Sequence, residues 1–194
     1  MGDSGRFRVD PMGELGWLAD RAVGQAQETG KRKAKAADQF VRGRVLTAGE
    51  RVMVEAMFGP NPGYARALIY PRNFWWPYPN DRAMAPAGNI HFPKQDFQQD
   101  FSVAHVPVPL RALFMHEATH LYQWYELKQW VIARGITDRE YTYTLEPGKE
   151  LKDYGLEQMG QIVQDYYRLK HGLSVRSTRY RAQDYEHILP VKRS

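Results

Sequence analysis

Apolar residues recur at three- and four-residue intervals in two long stretches of this chain. The first runs from about Leu110 to Arg134 through Leu110, Leu113, Phe114, Leu121, Trp124, Leu127, Val131 and Ile132, a spacing that lays one apolar stripe along a helix. Pro107 and Pro109 stand at its mouth, where a missing amide hydrogen costs little, and Gly135 offers a stop. The second runs from Leu156 to Lys170, with Leu156, Met159, Ile162, Val163, Tyr166, Tyr167 and Leu169 on its apolar side and Gly172 beyond its end. A third helix is predicted to start at Thr47. Thr47 as N-cap and Glu50 at the third helical position spell a capping box, and Gly59-Pro60 closes the helix after Phe58.

Two short stretches read as strands. Ala65 to Tyr70 alternates loosely and is stopped by Pro71, while Asn89 to Pro93 ends in a proline, which suits an edge strand. Between them, residues 71–88 combine Pro71, Pro77, Pro79 and Pro86 with Phe74, Trp75, Trp76 and Tyr78. That is too much proline for a helix and too many rings for disorder, so a structured loop that covers the core or lines a cleft is expected. The pattern predicts an α+β fold, mostly helical, with a small mixed or antiparallel sheet. Residues 1–44 are broken by seven glycines and carry the basic run Lys31 to Lys35; they read as a linker or docking segment. Residues 45–175 form the expected domain, and 176–194 a basic C-terminal arm.

Composition narrows the classes. With 194 residues, 43% hydrophobic and 25% charged, the chain has enough material for one domain with a real core. No run of eighteen apolar residues is present, so no membrane span is expected. The sequence Met1-Gly2-Asp3-Ser4-Gly5-Arg6 lacks the basic-then-apolar order of a secretory signal. If the protein leaves the cytoplasm where it is made, the expected route is a machine that does not read a cleavable signal. Cysteine is absent, which removes disulfides, thiolate zinc ligands and a cysteine nucleophile together. The net charge of +5 is uneven: residues 45–167 are acidic on balance and both flanks are basic. A basic tail raises the possibility of nucleic acid, but the acidic middle does not extend the patch, so no nucleic-acid partner is expected.

The chemistry concentrates at His116-Glu117-Ala118-Thr119-His120. Histidines four apart on a helix project from one face and can share a metal ion. Glu117 sits where its carboxylate reaches a metal-bound water without ligating the metal itself. A catalytic zinc takes three protein ligands and leaves the fourth position open. None of His91, His105, His171 and His187 follows His120 at a short ligand spacing. Glu157, near the start of the second helix, has the best position for a third ligand; Glu140, Glu146 and Glu150 fall in loop, and Asp153 is less well placed. Gly155 and Gly160 leave room for a close helix crossing there. Tyr141, Tyr143, Tyr154 and His171 are candidates to stabilise a tetrahedral oxyanion. Gln161 and Asp165 are candidates to orient a ligand imidazole from behind. The strand at 89–93 is a candidate edge on which an extended peptide could add by backbone hydrogen bonds.

The stretches LTAGERVMVEAMFGPNPGYARALIY, APAGNIHFP, LFMHEATHLYQW and YGLEQMGQIVQDYY resemble a family of small HExxH metallopeptidases found beside or fused to Rhs and VgrG proteins of bacterial type VI secretion systems. A looser similarity is to the HExxH core domain of extracellular contractile injection systems. The resemblance covers about residues 45–170. It implies a zincin-like fold and one zinc ion per chain, held by His116, His120 and Glu157. It also implies an antibacterial effector that hydrolyses peptide bonds in a target cell's periplasm. The partners it implies are a peptide or protein substrate, a cognate immunity protein and a VgrG- or Rhs-type delivery protein. The competing expectation from another class is a catalytically idle zincin-like adaptor of the secretion machine.

Overall fold

The computed structural model describes residues 21, 24–25, 27–35, 38, 41–74, 81–131, 138–175 and 180–191. The chain divides into two compact units, Met1–Val41 and Arg42–Ser194. In the first unit the described residues are helical, where the glycine count suggests a linker. Alanine, glutamine, glutamate and lysine surround Gly24 and Gly30, and residues of high helix propensity carry isolated glycines at about 1 kcal/mol each. Lys31 pairs with Glu28 across one turn at 3.0 Å.

The second unit opens with β1 (Arg44–Val45) and α1 (Ala48–Phe58). The capping box at Thr47 is formed: Glu50 N–H donates to the Thr47 hydroxyl, and Thr47 N–H donates to the Glu50 carboxylate. Glu50 is wholly buried, and Arg44 grips it with two bonds of 2.6 and 2.7 Å while Phe101 N–H adds a third partner at 2.8 Å. A buried carboxylate survives only with its oxygens so satisfied. A 3-10 turn, Pro62–Arg66, follows, and β2 spans only Leu68–Tyr70. The expected strand from Ala65 is therefore shorter, because Asn61 caps Gly63 N–H and Pro62 starts a tight helical turn in its place.

β3 (Ile90–His91) completes a mixed sheet of order β1-β2-β3, with β1 antiparallel and β3 parallel to β2. The sheet backs onto α2 (Val108–Tyr125) through a run of rings: Phe92 lies tilted against Phe101 at 4.6 Å, and Phe101 stacks on Phe114 at 5.0 Å. Phe58 of α1 stacks on Tyr122 at 5.0 Å. α3 (Leu156–Lys170) packs along α2 in the most extensive pairing of elements. α4 (Ala182–Glu186) then brings Tyr185, Ile188 and Leu189 into the same core. Among the described residues, no helix is long and apolar enough to cross a membrane.

α2 ends nine residues before the expected Arg134. Leu127 N–H turns back to Tyr122 O, Gln129 N–H to Gln123 O, and Lys128 takes a left-handed conformation at φ 55°. The apolar periodicity continues past the helix because the turn returns Leu127 and Val131 to the interior. α3, by contrast, spans the expected residues, and Gly172 at φ 75° supplies the left-handed turn after it.

Candidate metal centre

Residues 114–123 of α2 are buried without interruption, and this stretch contains His116, Glu117 and His120. A helix enclosed on every side holds its side chains in fixed rotamers, which a metal centre requires. Glu157 comes from the first turn of α3, which Asp138 caps by accepting Leu156 N–H at 2.7 Å. The Glu157 Oε2 atom lies 3.2 Å from His116 Nε2 and 3.6 Å from His120 Nε2. The third ingredient is Gly160: a Cβ there would stand 2.7 Å from the His116 ring, so only glycine lets the imidazole lie against α3.

These donors fit a zinc ion. Nitrogen and oxygen ligands about 2.0–2.1 Å from a tetrahedral zinc stand roughly 3.3 Å apart, close to the observed separations, and the three donor atoms all lie within 4.8 Å of one another. The electrostatics agree. Burial works against charge on His120, but the Glu157 bond, the Glu117 and Glu157 charges and Gln123 outweigh it and raise the ring to about 9. Burial would also raise Glu157, yet the two imidazoles hold it well below the usual carboxylate range. The cluster is thus built around positive charge. Glu117 is pushed upward, chiefly by burial, and its Oε2 has no hydrogen-bond partner among the described residues.

The site opens into a cleft of about 150 Å³ lined by His116, Glu117, His120, Glu157, the segment Arg82–Pro86, Val131, Arg139, Tyr141 and Leu156. Among the described lining residues Tyr141 is the one tyrosine. Its ring lies over His116 at 6.1 Å, and its hydroxyl is raised to about 12 by burial and then by the nearby Glu157 carboxylate. The other candidates for oxyanion contact are engaged elsewhere. Tyr143 donates to Asp165 at 2.7 Å and meets Tyr185. Tyr154 accepts Glu146 N–H through its hydroxyl oxygen. His171 caps the far end of α3 and stacks on Tyr167.

Two further expectations are corrected. Gln161 donates to Asp165, and neither is bonded to a ligand imidazole; the residue behind His120 is Gln123, wholly buried, with Oε1 2.7 Å from His120 Nδ1. Its signal in the sequence was the spacing: a polar residue one helical turn past His120, inside an otherwise apolar run. The strand at 90–91 does not offer a free edge at His91, because Met84 exchanges both backbone bonds with it at 2.8 and 3.0 Å. The cleft wall is the Met84 segment instead.

An α+β fold with two packed helices that converge two histidines and a glutamate beside a buried acid defines the class of the site. No family model matches the chain. It is 31% identical over 163 residues to the type VI secretion system spike protein VgrG2b of Pseudomonas aeruginosa, a match that covers 77% of this chain but only 15% of that protein's length. The solved effector domain of Pseudomonas aeruginosa VgrG2b is 32% identical with a TM-score of 0.58, over 67% of this chain and 76% of that one. The chain belongs to the family of the VgrG2b effector domain.

Proposed function

We propose that this protein is a zinc-dependent metallopeptidase that acts as a type VI secretion effector against other bacteria. The observation that carries the reading is the convergence of His116, His120 and Glu157 around one point, with Glu117 lining the same cleft and its buried Oε2 without a hydrogen-bond partner among the described residues. The names of the relatives, a secretion spike protein and its effector domain, support delivery into a target cell. The zincin-like fold, the periplasm as site of action, and a cognate immunity protein belong to this proposal too.

His116 Nε2, His120 Nε2 and Glu157 Oε2 would hold the ion. When bound there, zinc supplies Lewis acidity toward a water molecule and a substrate carbonyl. Glu117 accepts the proton of that water as its oxygen attacks the carbonyl carbon. It returns the proton to the amide nitrogen as the C–N bond breaks. Its raised affinity for a proton suits this exchange. Tyr141, on the cleft wall, donates its hydroxyl hydrogen to the oxyanion that develops on the carbonyl. An extended peptide lies along Arg82–Pro86, the segment that forms the wall of the cleft.

The test is Glu117→Gln. Peptide-bond hydrolysis falls by roughly 10²–10⁴-fold, the range of a lost general base, while zinc content stays that of wild type. Expressed in a susceptible bacterium and directed to the periplasm, wild type is toxic and the variant is not. Zinc-loaded Glu117→Gln that remained as toxic as wild type would identify an adaptor or a different chemistry.

A further inference from the structure

One amide group links the two ligand-bearing helices. Gln123 Nε2 donates to the carbonyl oxygen of Leu156 at 2.9 Å. A carbonyl only accepts, so this bond fixes which end of the amide is nitrogen. Oε1 therefore faces His120 Nδ1, 2.7 Å away, and because Oε1 also only accepts, Nδ1 carries a hydrogen. A neutral His120 must then present its lone pair at Nε2, the atom that faces Glu157. Leu156 immediately precedes Glu157 in the chain, so the same amide grips the backbone beside the glutamate. Gln123 is 0% exposed and has both ends of its amide satisfied within the protein. His116 has no such support: its Nδ1 is buried without a hydrogen-bond partner among the described residues, and its ring is held by packing on Gly160.

We propose that Gln123 is the positioning residue of the metal centre. It sets the His120 tautomer for coordination and ties the start of α3, hence Glu157, to α2. The inference rests on the reading of His116, His120 and Glu157 as zinc ligands. A glutamine in this place does work that a carboxylate could do only by half: a carboxylate accepts from Nδ1–H but repels the Leu156 carbonyl.

The experiment measures zinc dissociation constants by chelator competition for wild type, Gln123→Met and Gln123→Glu, with circular dichroism as a check of folding. Loss of an outer hydrogen-bond partner weakens metal binding by about 10–100-fold, and that is expected for Gln123→Met. Gln123→Glu restores the contact to Nδ1–H but not the bond to the Leu156 carbonyl, and recovers part of this loss. NMR of the histidine side chains in zinc-loaded wild type is expected to show a slowly exchanging proton on His120 Nδ1. A folded Gln123→Met that binds zinc within twofold of wild type overturns the inference and leaves the zinc reading standing. A His120 proton on Nε2, a result that needs no variant to fold, overturns the inference and removes His120 Nε2 from the ligand set as well. Wild type that binds no zinc overturns both.

Discussion

His91 on β3 and His120 on α2 are each almost fully enclosed, and their surroundings treat the imidazole in opposite ways. His91 stacks on Tyr70 at 4.7 Å with Phe74 edge-on at 5.0 Å. Burial, and then the Arg72 cation, lower it to about 4. His120 loses as much water, but Glu157 and Glu117 stand beside it and the ring rises to about 9. Burial by itself therefore does not say whether a histidine is core or ligand. The sign of the charge on its neighbours does. A stacked ring and an edge-on ring next to an arginine are a place for a neutral imidazole, whereas two carboxylates in a buried site are a place for a cation.

The largest expected effect breaks the metal side of this contrast. Glycine to alanine inside a helix usually stabilises by roughly 0.5–1 kcal/mol. In Gly160→Ala the new methyl would meet the His116 ring at 2.7 Å, and the ring has little room to yield because α2 is enclosed around it. If His116 is one of three zinc ligands, as proposed, displacing it should cost more than the 10–100-fold of an outer partner, on the order of 10³-fold in zinc affinity. Chelator competition measures it. A variant that gained thermal stability and bound zinc as wild type does would show that packing on α3 is not what aims His116.

How much of this was legible beforehand follows from the same geometry. α3 exposes one face to water, so its apolar stripe has edges and its span, Leu156–Lys170, was readable from periodicity. α2 is buried on all sides between Phe114 and Gln123, polar residues included, so burial leaves no exposed edge there, and its end at Tyr125 depended on a turn at Lys128 that no glycine announced. The approach of Glu157 to the HEATH residues was anticipated from its place at the head of the second helix. Gln123 was marked only by its spacing from His120, and Tyr141 was not separable from the other tyrosines, because hydrogen-bond partners come from tertiary packing. The Met84–His91 bridge pairs a residue of the proline-rich loop with β3, and no local pattern encodes such a pairing. His91 was legible only as a histidine in a strand.

The second effect tests the neutral side. Because the folded state holds His91 below its ordinary pKa of about 6.5, the unfolded chain takes up the proton first. Stability is lost as pH falls from about 6.5 to about 4 and the loss levels off below. At about 1.4 kcal/mol per pKa unit, the full loss is about 3–4 kcal/mol, of which about 3 kcal/mol is reached at pH 4. His91→Phe keeps the ring stack and both backbone bonds to Met84 and removes the titration. Urea unfolding of both proteins in chelator, at pH 7 and pH 4, should show the variant gaining about that much relative to wild type at the lower pH. His120 does not interfere: its raised pKa gives stability that is fully present below about 6.5 and lost only as pH climbs toward about 9. Glu157 titrates alike in both proteins. An equal acid response in the two would mean that His91 is charged in the fold.

The smallest effect separates two roles that Tyr141 can play on the charged side. Its hydroxyl feels the Glu157 carboxylate, so it could serve by steadying that proposed metal ligand; Tyr141 also lines the cleft, so it could serve the reaction itself. Tyr141→Phe keeps the ring over His116 and removes only the hydroxyl. A fully buried oxyanion donor is worth about 10²–10³-fold in kcat. Tyr141 is 41% exposed, and water competes for the same hydrogen bond, so a loss nearer tenfold is expected, about 1.4 kcal/mol in the barrier. If the hydroxyl acts on the transition state, kcat falls while KM and zinc affinity hold. If it only steadies Glu157, zinc affinity falls and kcat of the fully loaded enzyme does not. The first outcome is the one expected here. The Glu157 carboxylate already sits between His116 and His120, at 3.2 and 3.6 Å, and a half-exposed phenol adds little to a ligand that two imidazoles hold in place.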